Sequence, residues 1–343
     1  MSHDPVQMSL NAIARALRDG SLSAVSLAQT CIEQHDPSLN AYREWRPDLA
    51  LEQARRADAA LAQAQDLGAL QGIPVSVKDL YGVEQMETFA GSPAVMPSPW
   101  QNEGDLVKVL RDQHAVFTGK THTVEFAFGG LGVNSHWGTP RNPWDGTIHR
   151  VPGGSSSGAG VSLCEGSALL ALGSDTAGSV RIPASMTGNV GLKTSYGRWP
   201  VSGIFPLSPT LDTAGILTRT VADTVTAFSA IDPHQRSYGP RLAREVSRCN
   251  AGDFVIGTGE TALWSDCDPG IGEAVETALA ELRNAGVRTV DTSLPEATPA
   301  IELLKVGSVV AAEIDELLSS TAPQWRETLD PIVSSRIRDG GTI

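Results

Sequence analysis

Two clusters of small residues carry the hydroxyls that could do chemistry in this chain: GGSSSGAG, residues 153–160, and GSDTAGSVRIPAS, residues 173–185. A serine becomes an acyl-transfer nucleophile when a base takes its proton and N–H donors receive the oxyanion. The first cluster admits several readings. One is a flexible surface loop. As a phosphate cradle it lacks the Lys-Ser/Thr pair that closes G-x-x-x-x-G-K-[ST]. As a nucleophile elbow, Gly154–Gly158 fits G-x-S-x-G around Ser156, but His234 alone lies downstream and no HGGG segment precedes it. Lysine is the alternative base. Its pKa, about 10.4 in water, falls by several units on burial, so a neutral amine can accept a proton, and Ser–Lys pairs are a known variant of the triad. No S-x-x-K is present, and Lys193-Thr194-Ser195 resembles the third motif of penicillin-binding enzymes only superficially. Lys78 is a candidate base. Ser179, after Thr176-Ala177-Gly178, sits where a sharp turn of small residues would aim successive backbone N–H groups at one point.

These residues need elements to position them. LNAIARALRDG and SAVSLAQTCIEQ have helical spacing on either side of Gly20-Ser21, and 47–66 reads as an amphipathic surface helix. GIPVSVKDL (72–80) is a β-branched run bounded by Gly and Pro, a strand that ends at Lys78-Asp79. A helix near 104–113 and a strand at 115–120 continue the rhythm. The spacing then predicts loop over 129–160, a buried strand at 168–175, a turn at TAGS, a Gly/Pro-rich stretch over 188–215 and a helix at 220–232. Strand DFVIGTG, helix 270–285, strand VRTVDTS and helical material from 299 complete the chain. The alternation implies an α/β fold: one large domain around a central mixed, mostly parallel sheet with helices on both faces. Within 1–343, the N-terminal helices fill 1–66, the core motifs 72–223 and a C-terminal α/β part 240–343.

Composition bounds the function. Hydrophobic residues at 41% and charged ones at 19% suit a soluble globular protein. A net charge of −13 without a basic cluster argues against direct nucleic-acid binding. No apolar run reaches the roughly 20 residues of a membrane helix. MSHDPVQMSL is no secretory signal, so the expected location is cytoplasmic. Cys31, Cys164, Cys249 and Cys267 lack C-x-x-C spacing, and the histidines lack H-E-x-x-H or H-x-H. The expectation is no disulfide, no metal and no cofactor.

In order along the chain come VKDL around Lys78, GKTHTVEFAFG (119–129), NPWD (142–145), PGGSSSGAG (152–160), LGSDTAGSVRIPAS (172–185), GLKTSYGR (191–198) and LSPTLDTAGILTRTVAD (207–223). As a set they resemble the amidase signature family over roughly residues 10–235. The resemblance implies Ser179 as nucleophile, Ser155 as a bridging serine after a cis peptide, and Lys78 as base. It also implies an oxyanion hole of N–H groups from Thr176, Ala177, Gly178 and Ser179. Ala177 stands where many members have Gly, and Ser157 where Gly often follows the paired serines. Ser156, Asp175 and Arg181 read as supporting groups that hold the turns. His122, where many members have Asn, reads as a packing or hydrogen-bonding group. Trp199 and Phe205 fit either a pocket wall or packing. Glu302 and Glu313 read as a solvated helix face.

The function so implied is hydrolysis of a small-molecule carboxylic amide to acid plus ammonia or amine, through an acyl-enzyme on Ser179. Two rivals stand beside it: the glutaminase subunit of a tRNA-dependent amidotransferase, and an inactive truncated member. A homodimer is compatible with the resemblance. The chain stops at RIRDGGTI, where the resembling proteins continue, which implies a truncated C-terminal part.

Overall fold

The computed structural model describes residues 4–236, 241–259, 267–306 and 308–340. Residues 341–343, where the chain was expected to be cut short, lie outside them. Local chemistry sets the first elements. Helix α1 (Leu10–Asp19) starts where the Ser9 hydroxyl accepts the Ala12 N–H and stops at Gly20, φ +77°. Helix α2 (Ala24–Gln34) opens on a reciprocal Ser23/Ser26 cap, and Asp58 accepts the Ala24 and Val25 N–H groups. Strand β1 (Tyr42–Trp45) leads into α3 (Pro47–Ala62), which begins on a proline as a first helical turn tolerates.

Strand β2 (Pro74–Lys78), helix α4 (Asp105–Asp112) and strand β3 (Val116–Thr121) follow. Next come α5 (Ser157–Glu165), β4 (Leu170–Asp175), α6 (Arg181–Thr187), β5 (Val190–Lys193), β6 (Thr213–Thr218) and α7 (Val221–Ile231). These six strands form one sheet in the order β1-β3-β2-β4-β6-β5. β3, β2 and β4 pair in parallel, β1 and β6 join antiparallel, and β5 is antiparallel to β6, so four of the six strands share a direction.

Strand alternation assigns the two faces. Val75 and Val77 of β2, Leu170 and Leu172 of β4, and Ala214 and Ile216 of β6 join the large core with α1–α4 and α7. Ala171 and Leu217 point the other way, to Ala159 and Leu163 of α5 and Ala184 of α6. The Ser76 and Ser162 hydroxyls, 2.9 Å apart, join β2 to α5 on this second face.

Helix α8 (Arg241–Val246), strand β7 (Val255–Thr258), helix α9 (Ile271–Asn284) and strand β8 (Arg288–Asp291) come next, with β7 and β8 pairing in parallel. Helices α10 (Ala297–Val306), α11 (Val309–Thr321) and α12 (Pro331–Gly340) complete the described chain. α11 and α12 return to the large core through Ile314, Leu318, Val333 and Ile337, and Trp325 between them stacks on Phe126. Among the described residues no helix is long and apolar enough to cross a membrane.

The expected helices and strands fall within a few residues of their places, with some exceptions. α5, α6, β5 and β6 occupy stretches read as loop or left unassigned, because their glycines, serines and prolines hide any period, and β1, four residues long, is too short to show one. Tertiary contact decides them instead. Gly158 shows this: a Cβ there would lie 2.0 Å from Ala41 O and 2.6 Å from His122 N, so α5 approaches backbone that a side chain would exclude. Gly158→Ala is therefore expected to destabilise the fold by about 2–3 kcal/mol. Urea unfolding measures this, and an unchanged midpoint would contradict the close approach.

Candidate active site

Lys78 closes β2 with its side chain wholly buried. Its Nζ donates to Ser155 Oγ at 2.7 Å and to Ser174 Oγ at 2.9 Å. Burial pulls its pKa down to about 7, against the opposing pull of the Asp175 and Asp212 charges. An amine that shares its proton this readily can take one from a serine hydroxyl at neutral pH.

Ser155 follows the turn at Gly153 and Gly154. The Gly154–Ser155 peptide is cis, as the resemblance implies. Gly154 N–H donates to Gly130 O at 2.7 Å, and a Cβ on Gly154 would stand 2.6 Å from Gly132 N. The 129–132 loop thus lies directly against this turn. The neighbouring serines differ in what they hold. Ser156 N–H donates to Ser179 O at 3.2 Å and its hydroxyl to Ser174 O at 3.3 Å, which ties the two clusters together. The Ser157 hydroxyl donates to His122 O at 3.2 Å, beside the Gly158 N–H on the same carbonyl.

Ser179 lies in the turn between β4 and α6, 8% exposed. Among the described residues its hydroxyl makes no hydrogen bond, and no direct bond joins it to Ser155. Asp175, the last residue of β4, organises the turn. One carboxylate oxygen accepts Gly178 N–H at 2.7 Å, the other accepts Val180 N–H at 3.0 Å, and Arg181 pairs with both through Nε and Nη2. Burial disfavours the charged carboxylate, but Arg181 and the two N–H donors hold its pKa below the usual range.

Of the four N–H groups expected to face the oxyanion, that of Gly178 donates to Asp175 Oδ1. The N–H groups of Thr176, Ala177 and Ser179 have no backbone or side-chain acceptor among the described residues.

Other side chains around the site were not legible in the sequence. Ser174, one residue before Asp175, is the second hydroxyl on Lys78. Asp212 accepts the Thr176 hydroxyl. Beside Lys78, buried Asp79 forms ion pairs with Lys120 at 3.0 Å and Arg43 at 2.8 Å, a cluster that fixes the end of β2 against β3 and β1. Lys120 Nζ also donates to Thr88 Oγ1 at 2.9 Å. The signal for each was an ordinary polar residue in a glycine-rich run, with nothing in the chain order to name its partner.

His122 is buried with its pKa lowered to about 4, by burial first and then by Arg43, and its Nε2 lies 3.1 Å from Asn40 Oδ1. Its role is packing and hydrogen bonding, as read. Trp199 is core: its indole donates to Asp232 and stacks on Phe228. Phe205 packs against Trp100 and Phe126 and also lines a cavity of about 420 Å³ with Ser174 and Asp212. Glu302 is exposed on α10. Glu313 departs from the reading as a solvated face, because it accepts the Ser208 and Thr210 hydroxyls and joins α11 to the 207–212 segment. Burial raises Glu125 to about 8. That carboxyl accepts Asp330 N–H at 2.7 Å and meets His136 Nε2 at 3.1 Å, which fastens the start of α12 to the loop that leads to the site.

A comparison with known proteins bears on this geometry. The family profile described as Amidase matches residues 23–342. The chain is 51% identical over 334 residues to 2-amino-5-chloromuconic acid deaminase of Comamonas testosteroni, a match covering 96% of this chain and 71% of that protein. It is 35% identical over 303 residues to a glutamyl-tRNA(Gln) amidotransferase subunit of Symbiobacterium thermophilum, covering 85% of this chain and 62% of that protein. A solved crystal structure of an amidase superposes with a TM-score of 0.86 at 29% identity, over 98% of this chain and 74% of that one.

Proposed function

Because this chain belongs to the amidase family and is accordingly a hydrolase of carbon–nitrogen bonds, we propose that it cleaves a small carboxylic amide through an acyl-enzyme on Ser179. Neutral Lys78 takes the Ser155 proton along their 2.7 Å hydrogen bond, and Ser155 takes the proton of Ser179 as that hydroxyl attacks the carbonyl. The N–H groups of Thr176, Ala177 and Ser179 receive the oxyanion. The proton returns through Ser155 to the leaving nitrogen, the C–N bond breaks, and ammonia or an amine departs. Water, deprotonated by the same relay, then frees the acid and restores Ser179. The observation that carries this reading is a buried lysine with pKa about 7, bonded to the serine that precedes the nucleophile turn in space.

The 51% likeness to 2-amino-5-chloromuconic acid deaminase supports a second substrate class for the same relay. In a small unsaturated 2-amino acid the enamine tautomerises to an imine, water adds across C=N, and ammonia leaves the carbon as a ketone. The likeness to the amidotransferase protein is weaker, and it supports glutamine as a third donor of ammonia. Ammonia release from aliphatic and aryl amides, a 2-aminomuconate and glutamine separates these. The expected result is release from one of the first two classes without any partner protein. Release from glutamine alone, and only with partners added, would overturn the proposal.

The pH profile follows from Lys78. Only its neutral form accepts a proton, so kcat/KM is expected to rise tenfold per pH unit below about 7 and to level off above it. A profile flat from pH 5 to 8 would remove Lys78 as the base.

A further inference from the structure

The LSPTLD stretch belongs to the motif set but has no part in the relay, and it sends one side chain to the site. Asp212 Oδ2 accepts the N–H groups of Leu207 at 2.8 Å and Ser208 at 3.0 Å, while Oδ1 accepts the Thr176 hydroxyl. The two backbone N–H groups converge on one oxygen and the threonine hydroxyl on the other, so the carboxyl spans both turns. Burial raises its pKa, and the three donors and the Lys78 charge oppose that rise.

Thr176 is the first residue beyond β4, and its backbone N–H is one of the free donors on the nucleophile side. Asp212 is therefore a bridge between two turns. Its own segment has further ties beside it: Ser208 and Thr210 are bound to Glu313, and the Leu211 and Asp212 N–H groups both donate to Ser208 O. The other charges around Lys78 already have partners: Asp175 of β4 pairs with Arg181, and Lys120 of β3 with Asp79. Tyr81 donates its hydroxyl to Gly173 O.

We propose that Asp212 is a positioning residue for the nucleophile turn: by gripping the Thr176 hydroxyl it sets the aim of the Thr176 and Ala177 N–H groups at the reacting carbonyl oxygen. The inference rests on the acyl-transfer reading above. Its force comes from geometry, because a displacement of about 1 Å in a catalytic group costs on the order of a hundredfold in rate. Asp175 holds the Gly178 and Val180 end of this turn, while at its start the Thr176 side chain is held by Asp212.

The test is a set of variants measured for kcat, KM and pH profile on a substrate found by the ammonia screen. Thr176→Val keeps the shape and removes the grip. It is expected to lower kcat roughly 10- to 100-fold with KM within about threefold and the acid limb in place. Thr176→Ser restores the hydroxyl and is expected to stay within about threefold of the parent. Asp212→Asn is expected to lower kcat as Thr176→Val does and also to move the acid limb to lower pH, because a negative charge that favours protonated Lys78 is gone. Ser179→Ala is the control. Activity surviving in Ser179→Ala would fail the acyl-transfer reading. A parental kcat in Thr176→Val beside an inactive Ser179→Ala would overturn the positioning role alone, as would a Thr176→Ser variant as slow as Thr176→Val. The Val/Ser pair decides the matter should Asp212→Asn fail to fold.

Discussion

Replacing Ser179 with alanine is expected to lower C–N bond hydrolysis by roughly ten-thousand-fold to a millionfold, with the fold intact. The size follows from what the substitution removes. Without the hydroxyl no acyl-enzyme forms, and Lys78 and Ser155 are left with no nucleophile to deprotonate. The structural cost is small, because the Ser179 side chain makes no hydrogen bond among the described residues, while its carbonyl still accepts Ser156 N–H. An unchanged melting temperature and circular dichroism spectrum beside lost turnover is the expected pair. The parent, incubated with a fluorophosphonate, is expected to take the label on Ser179. Turnover within tenfold of the parent in Ser179→Ala would move the nucleophile elsewhere.

Lys78→Met is expected to be as inactive, yet more stable than the parent at pH 6 to 7. The sign comes from linkage. The lysine pKa is about 7 when folded, against an ordinary value of 10.5 when the chain is unfolded, so between those values the unfolded chain binds more protons than the folded one. Stability therefore increases as pH rises from about 7 towards 10.5, and below about 7 the full penalty of burying the amine is present. That penalty is on the order of 5 kcal/mol, by about 1.4 kcal/mol for each unit. Methionine fills the same volume without a charge. It forfeits the hydrogen bonds to Ser155 and Ser174, each worth about 1 kcal/mol. A net gain of about 1–3 kcal/mol at pH 6, shrinking as pH approaches 10, is the expected outcome of denaturant titrations. A loss of stability at pH 6 would mean that the amine is not the strained group this environment makes it.

The sequence was most legible where periodicity was strong. α1, α2, α3, α7 and α9 were recognisable from their apolar spacing and caps, and β2, β3 and β4 from short apolar runs. α5 and α6 were invisible for a physical reason. α5 is built largely of Ser, Gly and Ala so that backbone can pass close to backbone, and α6 is one short run with a proline inside it, so neither carries a periodic hydrophobic signal. The same holds at the site. Lys78, Ser155 and Ser179 could be singled out because together they match a motif set, whereas spacing alone left Lys78 indistinguishable from a surface lysine. The Gly178 N–H bond to Asp175 was not legible, because a turn of small residues says nothing of which N–H its own aspartate will engage. Ser174 and Asp212 were missed since their partners are far along the chain: Asp212 lies 36 residues beyond Thr176. Glu313 was misread because helical spacing shows a face, but not what loop will fold over it.

The pairing of β2 and β4 as parallel neighbours has a consequence for how this site tolerates change. Lys78 and the Ser179 turn emerge from the same end of adjoining strands, so their separation is set by a hydrogen-bonded spacing of about 4.8 Å rather than by the long connection between them. That connection carries β3, Ser155 and α5, which are held in place by the sheet and by the Lys78 bond, but the loops between those fixed points can change length without altering the distance between proton acceptor and nucleophile. The fixed points are locked to the ladder, and the loops between them can be revised to suit a new substrate.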